Sequence, residues 1–228
     1  VDQIKIWDRF QNDESFGDAF SDAAPRYSFL AKQTKPGMAV LNIGVGRGGL
    51  EALLVQRGVT VYCLDPSQES IARIRVQHAM GDRAQVGLSQ HIPFPDQQFD
   101  VVIMSEVLEH LTDEVLTASL AEVRRLLKPE GHFIGTVPAN ERLSDNRAVC
   151  PHCGEAFHRW GHIQSFSTSR LLRLLSDGQF TVRRMESRVF PSWDRGGFRN
   201  LLKSTARYVL GRIGSPIAGP SLFFKATR

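Results

Sequence analysis

Cysteine is scarce in this chain: three residues in 228, an odd number, with two of them in one short cluster. That count excludes a disulfide framework and suits a reducing, cytoplasmic setting. Long hydrophobic runs are missing as well, since no apolar stretch approaches the ~20 residues that cross a bilayer. The segment from Val1 to Phe10 is charged and lacks an apolar stretch ending in small residues, so no secretory signal is expected. There is no internal repeat and no low-complexity tract. What remains is ordinary for one globular domain with a sizeable core: 42% apolar and 23% charged residues.

Acidic residues are sparse toward the C-terminus. From Arg170 onward twelve Lys/Arg face three Asp/Glu, a net +9, and the preceding residues carry −5. The asymmetry reads either as a solvated basic face or as a peripheral contact with an anionic surface. No nucleic-acid motif accompanies it, which favours the solvated face and argues against a nucleic-acid partner.

The aromatic residues Trp7, Phe10, Phe16, Phe20, Tyr27 and Phe29 mark a helical cap over residues 1–35, closed by Pro36-Gly37. Strand and helix patterns then alternate. Strands are expected at 38–43, 60–64, 84–88, 99–104 and 132–137, with helices at 50–56, 67–79 and 112–127. Ser67 and Thr112 are the expected caps of the last two helices. Such alternation produces right-handed βαβ units and a parallel sheet covered on both faces. Residues 138–166 form a long connection, and 168–175 a helix. Two final strands follow at 180–190 and 222–226, with an insertion at 191–220 between them. The fold class is therefore α/β: a Rossmann-like, seven-stranded, mostly parallel sheet with helices on both faces. The last strand is expected to run antiparallel beside the fifth.

The first strand leads into Asn42-Ile43-Gly44-Val45-Gly46-Arg47-Gly48-Gly49 and then a helix. Glycines there let the backbone turn sharply and let a ligand approach without a Cβ in the way. Asp65 ends the second strand, where a carboxylate can accept both ribose hydroxyls of an adenosine. Gly44, Gly46 and Gly49 also fit the dinucleotide fingerprint, so this loop alone leaves a nicotinamide-dependent dehydrogenase open.

The next block separates the alternatives. Ile92-Pro93-Phe94-Pro95-Asp96 followed by Phe99-Asp100-Val101-Val102 and Ser105-Glu106-Val107-Leu108-Glu109-His110-Leu111 resembles the class I S-adenosylmethionine-dependent methyltransferases. So does Leu126-Leu127-Lys128-Pro129-Glu130-Gly131. The resemblance covers about residues 36–190 and the last strand. It implies that Gly44, Val45 and Gly46 pass under the methionine and ribose of the cofactor. It implies that Asp65 holds the ribose, that Pro66 flanks the adenine, and that Ser89 and Gln90 lie at the adenine edge. Ser105 and Glu106 are implied at the methionine end. Two departures stand out: the family usually has Asp where this chain has Asn42, and often Asp where it has Leu88. They leave open a methyltransferase-like binding or scaffold protein without activity. An oxygen acceptor needs a base. His110, with Glu109 beside it, is the catalytic candidate, against a histidine that merely packs.

Cys150-Pro151-His152-Cys153-Gly154 followed by His158 and His162 carries a second signal. Two thiols and two imidazoles at this spacing suit a tetrahedral zinc site, so Cys150, Cys153, His158 and His162 are the expected ligands, with His152 as a spare donor. His162 has a rival role. Glu106-x-x-Glu109-His110 with a distant histidine resembles the divalent-metal site of some O-methyltransferases, including ubiquinone-biosynthesis and small-RNA 2′-O-methyltransferases. In the insertion, Phe198, Leu201, Leu202, Ala206, Val209, Leu210 and Ile213 share one helical stripe, while Arg199, Lys203 and Arg207 recur on another side. That helix either packs on the domain or, with the N-terminal aromatics, walls an acceptor site. The acceptor expected is a small molecule, lipid or glycan.

Overall fold

The computed structural model describes residues 3–13, 15, 23–191, 202, 204–206, 209–210 and 219–228. Five strands come first: β1 (Ala39–Ile43), β2 (Thr60–Asp65), β3 (Ala84–Val86), β4 (Phe99–Ser105) and β5 (Leu127–Pro138). Two short ones, β6 (Arg147–Val149) and β7 (Ala156–His158), pair only with each other. β8 (Thr181–Arg188) and β9 (Ser221–Thr227) complete the main sheet. Its order is β3-β2-β1-β4-β5-β9-β8. β9 runs antiparallel to both of its neighbours, so six strands are parallel and the last is reversed, as the sequence implied.

Helices cover both faces. Successive residues of a strand point to opposite sides, and the core divides accordingly. Leu41, Val102, Phe133 and Phe224 pack with Leu116, Leu120, Leu171 and Leu175 of α5 (Asp113–Leu126) and α6 (Thr168–Asp177). Val40, Val101, Ile134 and Phe223 pack against the other layer. That layer comprises α2 (Ala24–Ala31), α3 (Gly49–Gln56) and α4 (Gln68–Gln77), which contribute Leu30, Leu54, Ile71 and Ile74. The expected caps are in place: Ser67 Oγ accepts from the Ser70 N–H, and Thr112 Oγ1 from the Val115 N–H.

One boundary differs clearly from expectation. β5 starts at Leu127 rather than after Gly131, because Leu127 already pairs with Phe99 across an irregularity in the ladder. The connection at 138–166 carries structure of its own, a short turn at Leu143–Asn146 and the β6–β7 hairpin. The N-terminal cap contains α1 (Gln3–Asn12) and α2. Of the amphipathic helix expected in the 191–220 insertion, Phe198, Leu201 and Ile213 of the apolar stripe and Arg199, Lys203 and Arg207 of the basic side lie outside the described residues. Of its apolar members, Leu202 and Val209 are each 53% exposed.

Gly135 sits in β5 where a Cβ would lie 2.3 Å from the Met104 carbonyl oxygen and 2.7 Å from the Phe224 ring. Backbone cannot yield there as a flexible side-chain end can. Gly135→Ala is expected to cost about 1–3 kcal/mol or more of stability, read as a lowered denaturation midpoint. An unchanged midpoint would show that β4 and β5 can separate freely.

Candidate active site

The carboxyl ends of β1, β2 and β4 open into a cavity of about 570 Å³ at the point where strand order reverses. Asn42, Gly44, Val45, Gly46, Asp65, Pro66, Ser89, Gln90, Ser105 and Glu106 all line it. At Gly44 the backbone is left-handed (φ 85°) and a Cβ would meet Val107 at 2.7 Å, so the loop has no room for a side chain. Asp65 is buried, which pushes its carboxyl up. Its two oxygens accept from the Val45 and Ser67 N–H groups, each at 2.9 Å. The Gln11 side chain also hydrogen-bonds this carboxylate, so a ligand's hydroxyls would take the remaining position and compete with Gln11 for another. Ser89 Oγ is tied to Ser119 Oγ at 2.7 Å.

Helix α1 closes this end. The Ser67 and Ser70 hydroxyls donate to Asp8 and Gln11, both at 2.6 Å, and Arg73 donates to Asn12 at 2.5 Å. Trp7 and Gln11 thereby enter the cavity wall.

Glu51 is a site residue that motif reading passed over. It is fully buried, and its Oε1 accepts from the Asn42 amide at 2.5 Å. A carboxyl therefore stands beside the position where the family usually has Asp. A charge on the apolar face of α3, between Leu50 and Leu54, was the available signal. Burial pushes Glu51 up to about 7 from an ordinary 4.5, the Asn42 hydrogen bond opposing this only in part. The folded chain then holds a proton that the unfolded chain releases. Its stabilising effect is complete below the unfolded value and is lost as pH rises through the folded one. Glu51→Gln should therefore flatten the decline of stability between about pH 5 and about pH 8, by roughly 2–4 kcal/mol. Parallel urea titrations of parent and variant with identical pH slopes would contradict this.

Trp7, Tyr27, Trp160 and Phe190 also line the cavity, as do Arg26, Glu106, His110 and His162; Trp7 and His162 both pack edge-on against His110, away from Asp65. Arg26 donates to Ser105 Oγ at 3.0 Å and lies 4.0 Å from Glu106. Glu106 has a left-handed backbone (φ 56°) at the end of β4, a strained conformation for a non-glycine residue. Glu109 lies just behind the wall, fully buried. Burial first, then the Glu106 charge, holds its carboxyl well above the usual range. His110 is driven down to about 3, by burial and then by His162, which makes it a weak proton acceptor on its own. Its Nδ1 is 3.1 Å from both the Trp7 indole N–H and the Gly161 carbonyl. One ligand atom each from Glu109, His110 and His162 lie within 4.8 Å of one another.

The four expected zinc ligands are brought together only in pairs, the Cys150 and Cys153 side chains meeting each other and the two imidazoles meeting elsewhere. Cys150 and Cys153 flank the turn of the β6–β7 hairpin, closed by Cys150 N–H to Glu155 O at 2.9 Å, and Cys153 is exposed. His158 and His162 gather instead around Glu141, and neither cysteine belongs to a ligand cluster among the described residues. His158 Nδ1 accepts backbone N–H groups from His162 (3.1 Å) and Trp160 (3.4 Å). The hairpin carries the thiols away from the imidazoles, which spacing along the chain could not reveal. Burial pulls the Glu141 carboxyl up, but the His162 hydrogen bond and the two imidazoles outweigh it and hold it below its ordinary value.

The chain matches the family model of the methyltransferase domain over residues 16–184. It belongs to the class I S-adenosylmethionine-dependent methyltransferases, and the dehydrogenase alternative falls away. An uncharacterized methyltransferase of Geobacillus sp. (strain WCH70) is 26% identical over 185 residues, 78% of this chain and 85% of the relative. One from Synechocystis sp. (strain ATCC 27184 / PCC 6803 / Kazusa) is 35% identical over 98 residues, covering 43% of this chain and under half (46%) of its own length. Among solved structures, a chain of the complex between the Haloferax volcanii Trm112 methyltransferase activator and a methyltransferase superposes with a TM-score of 0.71. It is 21% identical, over 97% of this chain and 96% of that one. Burkholderia thailandensis 1,6-didemethyltoxoflavin-N1-methyltransferase, solved with S-adenosylhomocysteine, gives 0.65 at 20% identity, over 99% and 87%. These likenesses carry the fold.

Proposed function

We propose that this enzyme is a cytoplasmic O-methyltransferase acting on a hydroxyl of a small-molecule, lipid or glycan acceptor. The observation that supports this reading is the acceptor end of the cavity. Glu106 Oε1, both Glu109 oxygens and His110 Nε2 are buried there without a hydrogen-bond partner. Buried polar atoms are rarely left unsatisfied unless a ligand or ion completes them. A hydroxyl must lose a proton to become a good nucleophile, and this set of carboxylates and imidazoles can take it. The aromatic ring of Trp7, Tyr27, Trp160 and Phe190 supplies an apolar bed for the rest of the acceptor.

S-adenosylmethionine, when bound, supplies a methyl group already activated on a sulfonium. The chain's part is alignment and dryness. Asp65 and the glycine loop hold the adenosine half, Arg26 and Ser105 stand at the methionine half, and α1 excludes water. The orphaned donor set also fits a divalent cation held by Glu109, His110 and His162, whose ligand atoms lie within 4.8 Å of one another. Such an ion would lower the acceptor hydroxyl's pKa. In that state His110 would carry its proton on Nδ1 toward the Gly161 carbonyl, leaving Nε2 as ligand, and the Trp7 indole N–H would have to turn away from Nδ1. Zinc at Cys150, Cys153, His158 and His162 does not fit.

Calorimetric titration with S-adenosylmethionine and with NAD, then S-adenosylhomocysteine release against matched hydroxyl and amine acceptors, tests the reading. Binding of the first cofactor and turnover of hydroxyl acceptors are expected. Cofactor binding with no turnover on any acceptor would favour the scaffold alternative, and preference for amines would overturn O-methylation.

A further inference from the structure

Glu141, His158 and His162 form a largely buried cluster that the methyltransferase motifs do not explain. We propose that Glu141 is a positioning residue that fixes His162 in its Nδ1–H tautomer, with His158 Nε2 approaching the other oxygen of the same carboxylate. Nε2 of His162 is then the lone-pair nitrogen left for the acceptor end.

Three constraints lead to the same protonation pattern. Glu141 Oε2 is hydrogen-bonded to His162 Nδ1. An ionised carboxylate only accepts, so Nδ1 carries the proton, and a neutral imidazole then has its lone pair on Nε2. His158 is settled independently. Its Nδ1 faces two backbone N–H groups, from His162 and Trp160, and must accept. Its proton therefore sits on Nε2, 3.4 Å from Glu141 Oε1. Asn146 donates to that same oxygen at 3.2 Å, and Ser165 Oγ holds the Glu141 backbone carbonyl at 2.6 Å. The carboxylate is thus surrounded by donors. The rings of His158 and His162 stack at 4.6 Å with a 19° interplanar angle, which restricts His162 from flipping.

This pattern also decides against a metal ion shared by Glu141, His158 and His162. Coordination through His158 Nε2 would move its proton to Nδ1, against two N–H donors. The cluster instead acts on the neighbouring one, where His162 meets Glu109 and His110. A carboxylate hydrogen-bonded to one imidazole nitrogen orients the ring and makes the other nitrogen a better base or ligand. Its use in turnover rests on the O-methylation reading; the tautomer does not.

Long-range ¹H–¹⁵N correlation spectra of the full chain with S-adenosylhomocysteine test it, with His158→Gln and His162→Gln for assignment. His162 should show the Nδ1–H pattern and His158 the Nε2–H pattern. In Glu141→Gln, whose amide can donate, His162 should lose that pattern, and Glu141→Asp should restore it in part. Turnover should fall about 10–100-fold in Glu141→Gln with cofactor affinity nearly unchanged. A wild-type His162 in the Nε2–H tautomer overturns the inference, and that spectrum decides even if Glu141→Gln does not fold. The two expected tautomers in a chain that turns over no hydroxyl acceptor would support the inference and remove the acceptor reading.

Discussion

Asp65→Ala is expected to weaken S-adenosylmethionine binding by about 1.5–3 kcal/mol, roughly ten- to 150-fold in dissociation constant. The carboxylate is buried at the end of β2 with two of its acceptor positions committed to the Val45 and Ser67 N–H groups. A ribose diol would take a remaining one and displace the Gln11 side chain from another, through charge-assisted hydrogen bonds. Removing the carboxylate deletes those bonds and also orphans two buried backbone donors that hold the glycine loop in place. The variant should lose thermal stability as well as affinity. Asp65→Asn, which keeps one acceptor oxygen, should fall between the two. Titration calorimetry showing parent-like affinity in the alanine variant would remove Asp65 from the cofactor site.

His162→Ala should lower turnover by about 10²–10⁴-fold at saturating cofactor, with S-adenosylmethionine affinity close to the parent's. His162 lines the acceptor end, while burial leaves His110 a weak base. The backbone N–H that His162 gives to His158 survives the substitution, so the loop should keep its course. Single-turnover rates separate this from a binding defect. A rate within a few-fold of the parent would transfer the proton-accepting role elsewhere, with Glu106 the next group in the wall.

The cofactor half was legible because its signals are local. A glycine loop between strand and helix, and an acid at the end of the next strand, fix a crevice by spacing alone, and Asn42 through Glu106 all reach one cavity. The acceptor half was only partly legible. Glu106, Glu109 and His110 lie within one motif, and Trp7 is one of the N-terminal aromatics that the sequence offered as an acceptor wall. Arg26, Trp160 and Glu141 arrive from separate parts of the chain, and no acceptor signal in their neighbourhoods marks them. The thiol–imidazole spacing was misleading for the same reason: a hairpin turn decides which side chains meet, and four ligand types in a short stretch do not record the turn's direction. The early start of β5 escaped notice because Pro129-Glu130-Gly131 reads as a break, whereas the strand tolerates it beside an irregularity opposite Phe99.

The match to the shared domain spans residues 16–184, yet Trp7 and Gln11 on one side, and Phe190, Gly219 and Ser221 on the other, also face the cavity. Kinship and selectivity are therefore written in partly different stretches of this polypeptide. The matched stretch carries the expected cofactor residues and most of the wall beyond them, and the flanking segments add Trp7 and Phe190 to that wall. Two members could share most of the former and methylate unrelated compounds, so a relative's substrate is a poor guide to this one's. Exchanging the two flanks between such members should carry part of the substrate choice along while the donor affinity stays behind.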